Sequence, residues 1–240
     1  FLYMAHGAVH APLQAPAAEI DAQRGRYEAG WDEIRAQRFE RQQALGVVEP
    51  HTKLAPRNSE ANHEVQAWAD LSGDDQTLFS RYMEVFAAMV RTVDRSTERL
   101  LAAIDEMGEL DNTIVLFMSD NGASREGEMV GTTAYMVHHV LGHDVEADRP
   151  RIDLVGGPRS AAHYPRGWAM AGNTPFRLYK INTHAGGHTV PFLCSWPAGG
   201  VVAGEKRRQY AHVSDVMPTL LDLLGIAPLP ERNGQPVKAM

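Results

Sequence analysis

Residues 75 to 107 limit what this chain can fold into more than any other stretch. Leu78, Phe79, Tyr82, Met83, Phe86, Met89, Val90 and Val93 recur at steps of three and four, and Leu100, Leu101, Ile104 and Met107 continue the stripe. Side chains at that spacing share one face of an α-helix, so the spacing predicts one long amphipathic helix. Gly108 follows and suits the left-handed turn that ends a helix. A few residues on the period changes, because Thr113-Ile114-Val115-Leu116-Phe117-Met118 is a continuous apolar run. Such a run reads as a strand buried on both faces. A helix handed directly to a strand of this kind points to an α/β fold.

The rest of the chain fits that class. Phe1-Leu2-Tyr3-Met4-Ala5 reads as a core strand that leaves through the Pro-rich turn His10-Ala11-Pro12-Leu13-Gln14-Ala15-Pro16. Residues 17 to 46 are helix-prone, with Asp32 as a candidate cap and Gly46 as a stop. Residues 47 to 70 are polar and irregular. Residues 122 to 175 are rich in Gly, His and Arg and poor in pattern, which reads as a long insertion of the kind that carries function. A second apolar strand is predicted from Thr189 to Trp196. A last helix opens near Ser214 or Asp215, holds Pro218 in its first turn and stops at Gly225. No internal repeat or low-complexity tract is found. The first residue is Phe, and residues 234 to 240 stop without a closing element, so the chain reads as an internal piece of a longer protein.

Composition narrows the function. The net charge of -7 argues against a non-specific basic grip on nucleic acid. No apolar run reaches membrane-spanning length. The single cysteine, Cys194, allows no internal disulfide.

Chemistry gathers at Ser119-Asp120-Asn121-Gly122, directly after the apolar run. Asn-Gly by itself signals a hairpin. No alternating strand follows Gly122, only Ala-Ser-Arg-Glu-Gly-Glu, so the hairpin lacks a partner. Asp120 and Asn121 are then two oxygen donors at the carboxyl edge of a sheet, where α/β proteins bind ligands and where a hard divalent cation fits. His10, after the first strand, is either a turn histidine or an imidazole facing the same cleft. Lys180 is either a solvated charge or an ammonium beside a bound oxyanion. Its loop runs on to Gly186-Gly187, a corner that brings backbone close to a ligand. His184 can reach the same cleft. His138, His139 and His143 have zinc-like spacing without a helical pattern and read as a solvated loop. Cys194 reads as a buried structural residue.

These stretches resemble the sulfatase family. Ala8-Val9-His10-Ala11-Pro12-Leu13-Gln14-Ala15-Pro16 is similar to its "PHxPLQAP" stretch, and residues 108 to 123 to its "LDNTIVLFTSDNG" segment. Thr174-Pro175-Phe176-Arg177-Leu178-Tyr179-Lys180 with Gly186-Gly187 and Pro191 resembles "FRxxKxxxxEGGxxxP", and residues 214 to 222 the helix "xDxxPTLLDLAG". The matches keep the family's order from residue 1 to about 227, and the insertion before Lys180 looks most like that of bacterial arylsulfatases. The resemblance implies an alkaline-phosphatase-like α/β fold, with a mixed, mostly parallel sheet sandwiched by helices. It implies hydrolysis of small-molecule sulfate esters by a formylglycine, with one calcium ion as Lewis acid. Asp120 and Asn121 match two calcium ligands; His10 and Lys180 match residues that contact the sulfate and assist the leaving oxygen. The compartment is left open, between a bacterial cytoplasm and a periplasm.

Some family features are missing. No Cys/Ser-x-Pro-x-Arg nucleophile motif is present, and Ala185 stands where many members carry Glu. The 240 residues are therefore expected to be part of one catalytic domain. Its N-terminal part, with the formylglycine, is absent and the small C-terminal domain is absent or only begun, so the piece alone is expected to be inactive. A phosphonate monoester or phosphodiester hydrolase on the same scaffold, and an inactive sulfatase-like binding protein, are the alternatives.

Overall fold

A computed structural model of the chain describes residues 1–237. Helix α1 spans Ala17–Asp21, α2 spans Gly30–Ala44 and α3 spans Gly73–Glu106. The apolar stripe is helical throughout, as its spacing predicts. Ser72 caps α3 by accepting the Asp75 N–H at 3.2 Å, and Asp74 and Asp75 favour the positive end of the helix dipole. Gly108 ends it with φ +73°. Only the first half of the stripe is buried, through Leu78, Phe79, Tyr82, Val85, Ala88 and Met89. Asp32 is not a cap. It sits in the first turn of α2, accepts the Trp68 N–H at 2.9 Å and pairs with Arg57 at 3.0 Å.

What buries that face is the segment read as a patternless insertion. Strand β1 (Val115–Met118) leads into it, and it contains α4 (Tyr135–Leu141), α5 (Val145–Asp148) and α6 (Arg166–Gly172). Trp168 of α6 is buried and donates its indole N–H to the Phe79 carbonyl at 2.8 Å. Trp31 of α2 meets Trp168 edge-on at 5.8 Å and Trp68 at 4.8 Å. A Cβ on Gly167 would stand 2.4 Å from the Trp31 ring, so α2 and α6 approach this closely only through glycine. The Pro-rich turn is stapled to the same segment, because Leu13 N–H donates to the Ala162 carbonyl at 2.8 Å.

The sheet differs from expectation. After α7 (Ala185–His188) comes β2 (Phe192–Ser195), which pairs with β1 antiparallel, Val115 opposite Ser195 and Met118 opposite Phe192. No mostly parallel sheet is found among the described residues. A parallel sheet needs both faces covered by crossover helices, whereas β2 is exposed along its whole length and β1 at Phe117 and Met118. Phe1–Ala5 is not a strand either. It has no ladder partner among the described residues, and Phe1, Leu2 and Tyr3 stand in solvent.

The contacts divide the chain into Phe1–Ala203 and a second unit from Gly204. In the second unit a 3₁₀ turn at Val213–Asp215 leads into α8 (Val216–Leu223), with Pro218 in its first turn and Gly225 beyond its end at φ +64°. Residues 231–236 form a hairpin of β3 (Glu231–Arg232) and β4 (Gln235–Pro236) where no closing element was expected. Asn233 and Gly234, both at positive φ, supply its turn. Residues 238–240 lie outside the described residues.

Candidate active site

The Lys180 loop is held from both sides. Tyr179 is buried and donates its hydroxyl to the His63 carbonyl at 2.9 Å, and Arg177 pairs with Glu60. Leu178 and Ile181 flank Lys180 at φ +61° and +81°. Left-handed backbone is unfavourable for both residue types, more so for β-branched Ile181, so the surrounding contacts impose this turn.

The end of β1 docks onto that loop. The Gly122 N–H donates to the Gly187 carbonyl at 3.0 Å, the Ala123 N–H to the Asn173 side-chain oxygen at 2.8 Å and the Lys180 N–H to the Ala123 carbonyl at 3.1 Å. A Cβ on Gly122 would lie 1.8 Å from the Gly186 carbonyl oxygen. The Gly186-Gly187 corner is thus used for contact with the strand end, where a ligand contact was expected. Its effect is to set Asp120 and Asn121 beside the Lys180 loop. Asp120 is exposed and Asn121 half-buried.

His10 arrives from the Pro-rich turn. Its Nδ1 faces the Ala11 carbonyl at 2.9 Å and so carries a proton, which leaves Nε2 to accept from the Lys180 ammonium at 3.3 Å. The structure therefore brings together His10 and Lys180, 170 positions apart. It also places a residue that the sequence reading missed. Glu126 lies 3.3 Å from Lys180 Nζ and 3.7 Å from His10 Nε2, and accepts hydrogen bonds from Ser124 at 2.9 Å and Tyr135 at 3.0 Å. Burial alone would raise the Glu126 carboxyl, but the bonds from Ser124 and Tyr135 and the Lys180 charge hold it below its ordinary value. Burial and the bond to Glu126 push the Tyr135 hydroxyl up to about 12.

Behind Ser124 lies buried His163, pushed down to about 4 by burial. Its Nδ1 donates to the Tyr164 carbonyl at 2.8 Å, so in the neutral ring Nε2 is a bare acceptor 3.0 Å from Ser124 Oγ. The one hydroxyl proton of Ser124 faces two acceptors, the His163 ring and the Glu126 carboxylate. No periodicity marks Ser124, Glu126, Tyr135 or His163; for Ser124 and Glu126 nearness in the chain to Asp120-Asn121-Gly122 was the only signal, and Tyr135 and His163 had none.

The remaining candidates fall elsewhere. His184 precedes α7, its ring is exposed, and no hydrogen bond joins it to His10 or Lys180 among the described residues. His138 and His139 lie on helix α4, not in a solvated loop, and His138 is buried against His143. Cys194 is an exposed free thiol on β2, because nothing covers that strand. Among the described residues no group of three or more His, Cys, Asp and Glu is placed to hold a metal. Asp120 and Asn121 offer a carboxylate and an amide oxygen, the donor types a hard cation takes, but only two of the six to eight that calcium needs.

Comparison with known proteins agrees with the motifs. A match to the sulfatase family covers residues 1–226. The chain is 32% identical to an uncharacterized sulfatase of Schizosaccharomyces pombe over 226 residues, 93% of this chain and 39% of that protein. It is 32% identical to an arylsulfatase of Klebsiella aerogenes over 242 aligned positions, 100% of this chain and 49% of that protein. It is 28% identical to human N-acetylgalactosamine-6-sulfatase over 143 residues, 60% of this chain and 20% of that protein. The chain therefore spans half or less of the length of these relatives.

Proposed function

This chain belongs to the sulfatase family, and from that premise we propose that the whole protein hydrolyses small-molecule sulfate monoesters, aryl sulfates among them. The observation that carries the reading is the Lys180–His10 contact at 3.3 Å, set beside the Asp120–Asn121 end of β1. A sulfate ester is an anion whose S–O bond breaks as charge builds on the departing oxygen. The Lys180 ammonium binds the anion and offsets that charge. His10, once it takes up a second proton on Nε2 in place of the Lys180 contact, gives that proton to the leaving oxygen, since the Nδ1 proton is committed to the Ala11 carbonyl. Asp120 and Asn121 supply part of the oxygen shell for a divalent cation, calcium by donor type, which when bound polarises the sulfate as a Lewis acid. The remaining ligands, and a formylglycine nucleophile, come from outside these 240 residues, which hold no complete Cys/Ser-x-Pro-x-Arg motif. In the whole protein β1 and β2 belong to a larger alkaline-phosphatase-like sheet whose flanking helices cover their exposed faces.

The test uses the full-length protein. Turnover of 4-nitrophenyl sulfate is expected to exceed that of a 4-nitrophenyl phosphonate ester. Lys180→Ala and His10→Ala are each expected to lower kcat/KM by about 10²–10⁴-fold. A preference for the phosphonate ester would reassign the chemistry to the related esterase class. Loss of neither activity in both variants would remove the pair from the mechanism. The 240 residues alone are expected to show no turnover.

A further inference from the structure

We propose that Glu126 is the positioning residue of the Lys180–His10 pair, a role that rests on the sulfate-ester reading of that site. Its Oε1 is 3.3 Å from Lys180 Nζ and its Oε2 is 3.7 Å from His10 Nε2, so one carboxylate reaches both side chains. Two positive groups this close repel once His10 carries its second proton, and a carboxylate shared between them offsets that repulsion.

The carboxylate is itself fixed. Ser124 Oγ and Tyr135 OH both donate to it, and the Tyr135 ring stacks on His163 at 5.4 Å. The groups facing Glu126 are thus Lys180, His10, Ser124 and Tyr135, with His163 behind Ser124. A lysine has three N–H donors. In this arrangement one is directed to Glu126 and one to His10 Nε2, which leaves the third for a sulfate oxygen. Glu126 therefore sets which way the ammonium points. This gives the segment from residue 122 to 175 a part in the site, since Glu126, Tyr135 and His163 all come from it.

Glu126→Gln in the full-length protein keeps the shape and removes the charge. The expected result is a kcat on 4-nitrophenyl sulfate lower by tenfold or more, a KM changed less than threefold and an unchanged melting temperature. Glu126→Asp, which keeps the charge, is expected to recover part of the lost kcat. On a Lys180→Ala background Glu126→Gln is expected to add little, because the group it positions is gone. A wild-type kcat in Glu126→Gln, or losses that simply multiply in the double variant, would overturn the role. A second readout needs no turnover: acetic anhydride labelling of Lys180, followed by mass spectrometry, is expected to run several-fold faster in Glu126→Gln. If the wild-type protein hydrolyses no sulfate ester, the sulfate reading falls, and the labelling decides the contact separately. An unchanged labelling rate overturns the positioning role in either case.

Discussion

The Gly122 N–H donates to the Gly187 carbonyl at 3.0 Å, and this bond joins the carboxyl end of β1 to the loop that carries Lys180. Two stretches far apart in sequence thereby share one site, at a separation only glycine permits.

The first prediction follows from that separation. In Gly122→Ala the new Cβ would start 1.8 Å from the Gly186 carbonyl oxygen, a backbone atom that cannot swing aside. Strand end and loop must move apart, which shifts Asp120 and Asn121 relative to Lys180. Overpacking of this kind costs about 1–3 kcal/mol of stability. A misplacement of about 1 Å can lower a rate about 10²-fold. Steady-state kinetics and chemical denaturation of the full-length variant check both, and wild-type values would show that the loop is compliant.

How far the sequence revealed this arrangement depends on which residues bear periodicity. α3 was legible from Leu78 to Met107, and its end from Gly108, because one long helix repeats its signal many times. The pairing of His10 with Lys180 was legible only through family motifs, since no local rule links positions 170 apart. The core role of Trp31 and Trp168 was not legible, because each is a single large residue in a stretch without pattern. Glu126 was not legible for the same reason. The exposure of β1 and β2 was not legible, because an apolar run implies covered faces, and these strands have exposed ones.

Asp120 is expected to bear on cation binding. In the full-length protein, chelation should lower both activity and melting temperature, and added calcium should restore them, since a ligand that binds only the folded state stabilises it. Asp120→Asn keeps the shape and removes the charge. Disturbing even an outer-shell partner of a metal ligand weakens affinity by about 10–100-fold, and loss of a direct carboxylate should do no less. Calorimetric titration of calcium into both proteins reads the difference; equal affinities would take Asp120 out of the metal shell.

His163 predicts an acid limb of stability. Burial pushes its folded value down to about 4, from 6.5 for the free side chain. The unfolded chain therefore binds a proton more readily than the folded one. The stability associated with neutral His163 is fully present above about pH 6.5 and is lost as the pH falls toward 4. The slope reaches at most about 1.4 kcal/mol per pH unit for one group. His163→Gln has no titrating ring and should flatten that limb, with the comparison made by urea denaturation at pH 7.5, 6 and 5. An identical slope in the two proteins would assign the acid sensitivity to other groups, buried His138 first among them.

Ile181 offers a test of imposed backbone strain beside the site. It holds φ +81° and the residue is 70% exposed, so little packing is lost when its side chain is removed. Left-handed backbone costs an ordinary residue about 1–2 kcal/mol, and glycine adopts it freely. Glycine also gains freedom in the unfolded chain, worth about 0.4–1 kcal/mol against the folded state. The relief is the larger of the two, so Ile181→Gly is expected to be neutral to about 1 kcal/mol stabilising, where most exposed changes to glycine destabilise. The same freedom loosens the turn that aims Lys180. Thermal melting should hold or rise while kcat on a sulfate ester falls. A variant that lost stability and kept its rate would mean that Ile181 is relaxed in its turn and that Lys180 is aimed from the Glu126 side alone.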